Sequence, residues 1–175
     1  FEFMKKVKAE GKAKEIGFSF HDKADVLDRI LTDHPEMDFV QLQLNYIDWD
    51  SEVIQSRKCY EVAKKHGKPV TVMEPVKGGA LARLAPEAEA VFKSYDPEKS
   101  NASWAIRFVA SLDNVRLVLS GMSDMDQVMD NTSYMKDFRH LSSEEAAQID
   151  KVVEILKKSQ AIQCTNCKYC MDECP

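Results

Sequence analysis

The sequence predicts an α/β fold organised on a parallel sheet, and three observations carry that expectation. Short apolar stretches of strand character alternate with amphipathic helical stretches in the order β-α-β-α-β-α-β-α. Such alternation implies parallel strands joined by right-handed crossovers. The chain has 175 residues, 44% of them hydrophobic and 30% charged, which suits one domain with a sizeable core. Two architectures satisfy the pattern: an open doubly wound sheet, or part of a (β/α)8 barrel. A complete barrel takes about 250 residues, so the second would make this chain half of one.

Each element has a local warrant. Phe1 to Gly11 reads as a helix with Phe3, Met4 and Val7 on one face and Gly11 as its stop. Lys14 to Ser19 reads as a strand, followed by a turn at His21-Asp22. Asp22 is placed to cap a helix carrying Val26, Leu27, Ile30 and Leu31 at helical spacing, which His34-Pro35 ends. Asp38 to Asn45 alternates cleanly, with Phe39, Gln41 and Gln43 on one face and Val40, Leu42 and Leu44 on the other. Two inward glutamines call for hydrogen-bond partners, in a core network or in a ligand. Phe18, Phe39 and Met73 are all expected on the inward face.

Ser51 to His66 reads as an amphipathic helix with Val53, Ile54, Tyr60 and Val62 inward. Cys59 within it reads as a small buried apolar residue rather than a redox centre. Pro69 to Glu74 is the third strand, and Ala80 to Ser100 reads as an irregular connection. Ser103 to Leu112 is a helix and Val115 to Ser120 the fourth strand. Asp124-x-x-Gln127 and Ser142-x-x-Glu145 have the form of capping boxes that open the last two helices. Ile149, Val152, Val153 and Leu156 make the inward stripe of the second of these.

A net charge of −5 argues against nucleic acid as a partner, since phosphate contacts need clustered Lys and Arg. No apolar run approaches a membrane span and no signal peptide opens the chain, so a cytoplasmic protein is expected. The chain starts at Phe1 and stops at Pro175 inside a motif, which reads as a fragment of a longer protein.

That motif is Cys164, Cys167, Cys170 and Cys174 followed by Pro175, spaced C-x2-C-x2-C-x3-C-P like a bacterial ferredoxin run. Two-residue spacers let one tight loop aim several thiolates at one face of a [4Fe–4S] cubane. Zinc is the alternative, although structural zinc sites separate their Cys-x2-Cys knuckles by a longer loop. Disulfides rank last in an acidic chain without a signal peptide. In two-cluster ferredoxins the cysteine before the proline serves the other cluster, so the identity of the fourth ligand stays open. Residues 1–160 and 161–175 accordingly read as a β/α domain and the start of a ferredoxin-type segment.

The segments KEIGFSFHD, VQLQLNYID, VMEPVKGGAL and SGMSDMDQVMDN resemble the last four βα units of an aldo-keto reductase. The ending CTNCKYCMDECP is similar to the tail of an iron–sulfur-bearing subgroup of that family. The resemblance implies the C-terminal half of a TIM barrel with a C-terminal helix and a cysteine-rich cluster-binding tail. It also implies hydride transfer between NADP(H) and a small-molecule carbonyl. Residue by residue, it places Ser19 and Gln41 at the nicotinamide carboxamide, with Phe20 where the family has Asn. It places Met73 where many members stack a Tyr, and Glu74, Pro75, Val76 and Gly79 at the pyrophosphate. Gly121, Ser123 and Gln127 fall at the 2′-phosphate, with Lys77 as the nearest basic candidate, and Asp130 and Asn131 fall at the adenine. NADPH is favoured over NADH, although the Asp124 carboxylate is an unfavourable neighbour for a phosphate.

Without the resemblance, Gln41 reads as a strand glutamine satisfied in a core network, and Ser123 and Asp124 as helix-cap residues. His21 reads as a turn residue, and Asn45 and Tyr46 as groups that satisfy a strand end. The family's catalytic Asp, Tyr, Lys and His come from its first four βα units, and none of those motifs occurs here, so no catalytic residue is assigned. The expected partners are the missing half of the barrel or a second copy. A hydride carries two electrons and a cluster takes them singly, so a separate electron-transfer partner or a structural cluster is expected. The alternative function is an electron-transfer module that uses the barrel as scaffold, or a domain stapled by zinc or a cluster.

Overall fold

The computed structural model describes residues 1–159, and the cysteine run lies outside them. The elements are α1 (Glu2–Ala9), β1 (Gly17–Phe20), α2 (Ala24–Asp33), β2 (Phe39–Gln43), α3 (Ser56–Lys65) and β3 (Val70–Met73). A 3-10 turn (Ala80–Ala82), α4 (Pro86–Tyr95), α5 (Asn101–Ala110), β4 (Val115–Val118), α6 (Met125–Met135) and α7 (Ser143–Ser159) complete the order. The chain divides into two compact units: Phe1–Pro75 with Val109–Ser120, and Val76–Phe108 with the chain from Gly121 onward. No helix among the described residues is long and apolar enough to cross a membrane.

The first unit holds all four strands, paired parallel in the order β1-β2-β3-β4. A doubly wound sheet reverses its strand order at a switch point, and these four strands do not. Register assigns the faces. Phe18 and Phe20 align with Val40 and Leu42, which align with Val70 and Val72. This face is the buried one, with Val40, Val70 and Val72 at 0% exposure. Gly17, Ser19, Phe39, Gln41, Gln43 and Met73 lie on the opposite, more open face, where Ser19 is exposed and the others are half-buried. Phe18 is therefore on the helix-covered face and not with Phe39 and Met73 as expected; its ring meets Phe1 edge-on at 5.9 Å.

Gly17 has a packing reason. A Cβ there would lie 2.5 Å from the Phe39 carbonyl oxygen and 2.7 Å from its ring, so β1 and β2 meet at a point where only glycine fits.

Helix boundaries depart from expectation where local turns intervene. Helix α3 begins at Ser56, because Gln55 turns left-handed with φ of 57°; Val53 is left outside the helix and 74% exposed. Phe3, expected on an apolar face of α1, is 76% exposed. Lys23 rather than Asp22 occupies the N-cap of α2, while Asp22 accepts the Lys23 amide at 2.7 Å. Cys59 is buried as expected, and burial pushes its thiol up to about 11. The stretch Ala80 to Ser100 is not irregular: it contains α4, with Pro86 at its start, Glu87 and Glu89 in the first turn, and Ala88 and Phe92 inward.

The second unit is helical. Trp104 stacks on Phe92 with ring centroids 4.4 Å apart, and Tyr95 meets Trp104 edge-on at 5.8 Å. Arg107 grips Glu145 through both guanidinium nitrogens, at 2.7 and 2.9 Å, and Lys99 adds a contact at 3.1 Å. Glu145 also accepts the Ser142 amide while Ser142 Oγ accepts the Glu145 amide, the expected capping box of α7.

Candidate functional site

On the open face of the sheet, three sequence-identified residues meet. Parallel register puts Ser19 of β1 beside Gln41 of β2, and Met73 of β3 lies two residues beyond Thr71, the partner of Gln41. Gln41 Nε2 donates to Ser19 Oγ at 3.2 Å and to Met73 Sδ at 3.4 Å. Ser19 Oγ donates to Met73 Sδ at 3.6 Å and lies 3.4 Å from His21 Nε2. A thioether is a weak acceptor, so this amide gives one of its two donor contacts to a partner that a better acceptor can replace. The His21 contact with Ser19 was not foreseen, because a turn residue two positions on carries no spacing signal of its own.

Beyond the trio, at the ends of β2 and β3, lies a buried polar network. Asn45 and Asp48 are 0% and 6% exposed. Asp48 Oδ2 accepts from Gln43 Nε2 at 3.1 Å and from Asn45 Nδ2 at 2.9 Å. The Asp48 amide donates back to Asn45 Oδ1 at 2.9 Å, and Asn45 Nδ2 also reaches the Glu74 carbonyl at 3.2 Å. Gln43 thus finds its partner in a core network, while Gln41 faces the open side. Asp48 is a member of this network that no motif singles out; its signal in the sequence is the turn NYID directly after two alternating glutamines. Tyr46 is also buried, and burial raises its phenol above the ordinary value.

Glu74 is exposed and Pro75 buried, and the backbone at Glu74 has φ of 57°. Lys77, Gly78 and Gly79 follow with φ of 49°, 58° and 89°. Left-handed residues that carry side chains concentrate at binding loops. Lys77, the nearest basic candidate for the 2′-phosphate, is only 4% exposed.

In the second unit, Asp124 caps α6 as expected, accepting the Gln127 amide at 2.9 Å and Gln127 Nε2 at 2.7 Å. Gln127 Oε1 in turn accepts the Ser123 amide at 2.9 Å, so Ser123, Asp124 and Gln127 form one local knot. A Cβ at Gly121 would meet nothing within 4 Å, which leaves the backbone there open to approach. Asp130 accepts Ser100 Oγ at 2.6 Å, and Asn131 accepts the Tyr134 hydroxyl at 2.5 Å. Among the described residues no group of three or more His, Cys, Asp or Glu side chains is placed to hold a metal ion.

Residues 1–154 match the Aldo/keto reductase family. Among solved structures, the chain is similar to an aldo-keto reductase from Bacillus halodurans in its apo form. The TM-score is 0.68 at 20% identity, over 94% of this chain and 58% of that one. It is also similar to an aldo-keto reductase from Klebsiella pneumoniae in complex with NADPH, with a TM-score of 0.65 at 21% identity, over 87% of this chain and 52% of that one. An aldo/keto reductase from Brucella melitensis aligns with a TM-score of 0.58 at 22% identity, over 84% and 51%. The chain therefore spans about half the length of these structures. No curated protein sequence matches it. With residues 1–154, nearly the whole described chain, accounted for by one family, and a fold similar to that of those structures, the chain belongs to the aldo/keto reductase family.

Proposed function

We propose that this chain contributes the cofactor-holding part of an NADP(H)-dependent oxidoreductase of aldo-keto reductase type, acting on a small-molecule carbonyl. The observation that carries the reading is the Ser19–Gln41–Met73 trio on the open face of the sheet. It fits a nicotinamide: an amide side chain with one weak partner can exchange it for a carboxamide, and a thioether packs against a ring. Ser19 and Gln41 would hold the carboxamide and Met73 would face the ring. The backbone of Glu74, Pro75, Val76 and Gly79 would approach the pyrophosphate. In the second unit, Gly121, Ser123 and Gln127 are assigned to the 2′-phosphate, and Asp130 and Asn131 to the adenine. The cofactor, when bound, supplies the hydride. No acid–base residue in the chain is assigned to the reaction. Calorimetric titration of the chain with NADPH and NADH tests the reading; saturable binding, tighter for NADPH, is expected, and no binding of either overturns it.

We further infer that Cys164, Cys167, Cys170 and Cys174 ligate a [4Fe–4S] cluster, with their spacing as the support. Iron and sulfide analysis of the anaerobically purified chain checks this, and a colourless zinc-loaded protein would refute it. Among the described residues, the outer strands β1 and β4 each have one edge without a neighbouring strand in the sheet, and Leu117 and Leu119 are 51% and 41% exposed. Open edges recruit further strands, so a partner, either the rest of a longer chain or a second copy, is inferred to cover them. Light scattering that found a stable monomer would contradict this.

A further inference from the structure

The chain leaves β3 through a residue in a conformation that its side chain disfavours. Glu74 has φ of 57°, and a residue with a Cβ stays there only when its surroundings impose it. The Glu74 carbonyl accepts a hydrogen bond from Asn45 Nδ2 at 3.2 Å. Asn45 is fully buried, and its amide has one possible orientation. Nitrogen must face the Glu74 carbonyl and the Asp48 carboxylate, which can only accept. Oxygen must face the Asp48 amide, which can only donate. Asp48 is itself anchored by Gln43 of β2. One residue earlier, the Leu44 amide donates to the Met73 carbonyl at 3.2 Å, so the β2–β3 ladder holds the position before Glu74 and Asn45 holds Glu74 itself.

We infer that Asn45 is a positioning residue: it presets the left-handed turn at Glu74, and with it the direction in which the backbone enters the loop that receives the nucleotide. This rests on the reading above that the loop after β3 approaches a nicotinamide dinucleotide. The chemistry selects asparagine at this position. Aspartate would set a carboxylate oxygen against both the Glu74 carbonyl and Asp48, and serine has a single donor where two are needed. The step is one of conformation alone, with no bond made or broken.

The test compares the full chain with Asn45→Ala, Glu74→Gly and the double variant, titrated with NADPH. Asn45→Ala is expected to weaken binding about tenfold. The double variant is expected to return to within about threefold of Glu74→Gly alone, because glycine adopts a positive φ unaided. Undiminished binding by Asn45→Ala overturns the inference. So does a loss that Glu74→Gly leaves unrepaired, which would reduce Asn45 to a packing role. If Asn45→Ala does not fold, the double variant decides: recovery of a folded, NADPH-binding chain supports the inference, and failure of both refutes it. A wild-type chain that does not bind NADPH strikes the nucleotide reading instead. The hold on Glu74 is then read from amide exchange over residues 74–79, where acceleration by Asn45→Ala supports it and no change overturns it.

Discussion

Arg116 of β4 donates to the Glu15 carboxylate at 2.7 Å, although 101 residues separate them and two strands lie between β1 and β4. The guanidinium also lies 5.2 Å over the Phe39 ring, so one side chain ties both outer strands and β2 together across the open face. Both partners remain substantially exposed, which limits the contribution of the ion pair. Arg116→Ala is expected to cost about 1 kcal/mol, ion pair and cation–π contact together. Glu15→Gln should cost less and remove most of the salt dependence. Urea denaturation at low and high salt checks this, and a loss above about 3 kcal/mol would show that Arg116 organises more than these contacts.

Gly17→Ala should be more harmful than its size suggests. The added methyl meets backbone and ring of Phe39 at 2.5 and 2.7 Å, and a carbonyl in a strand cannot step aside. Overpacking of this kind costs about 1–3 kcal/mol. Gly121→Ala, with open space around it, serves as the control. Equal denaturation midpoints for the two variants would disprove the close approach of β1 and β2.

Gln41→Ala tests the nicotinamide reading from the side chain. Loss of its carboxamide partner should weaken NADPH binding by about 1–3 kcal/mol, with little effect on stability, because its present partners are a hydroxyl and a thioether. Unchanged affinity by calorimetry would remove Gln41 from the site.

Glu145 makes stability depend on acid pH. The bidentate Arg107 guanidinium, opposed by burial and helped by the Ser142 amide and Lys99, lowers its carboxyl from 4.5 to about 2. A depressed carboxylate pKa stabilises the folded state fully above the unfolded value, and the gain is lost as pH falls from about 4.5 towards 2. Its size is on the order of 3 kcal/mol. Glu145→Gln should flatten that part of the pH profile and leave Arg107 buried without its counter-charge, at a cost of about 3–5 kcal/mol at pH 7. Denaturation midpoints between pH 7 and pH 3 for both proteins check the sign and the size.

Much of this architecture is legible in single residues and short spacings. Alternation from Phe39 to Leu44 separates the two faces of β2 without reference to any other strand, and the structure keeps that separation. The boxes at Asp124 and Ser142 form as their spacing requires, since a cap closes within one helical turn. Helix α4 went unread in the sequence, although Pro86 and the Ala88–Phe92 pair mark it. Ser19, Gln41 and Met73 were each identifiable through their motifs, whereas their mutual hydrogen bonds were not.

The sequence by itself determined the alternation of strand and helix, the hydrophobic stripes and the turn residues, because each depends on neighbours a few positions away. The tertiary structure decided what depends on register. It set the strand order without reversal and moved Phe18 to the covered face, where a one-residue shift in pairing exchanges the faces of a strand. It also brought Arg116 to Glu15 and Asn45 to Glu74, pairs whose separations of 101 and 29 residues leave no local trace. Such contacts cost loop-closure entropy that only the assembled sheet repays, so no spacing within one segment can announce them.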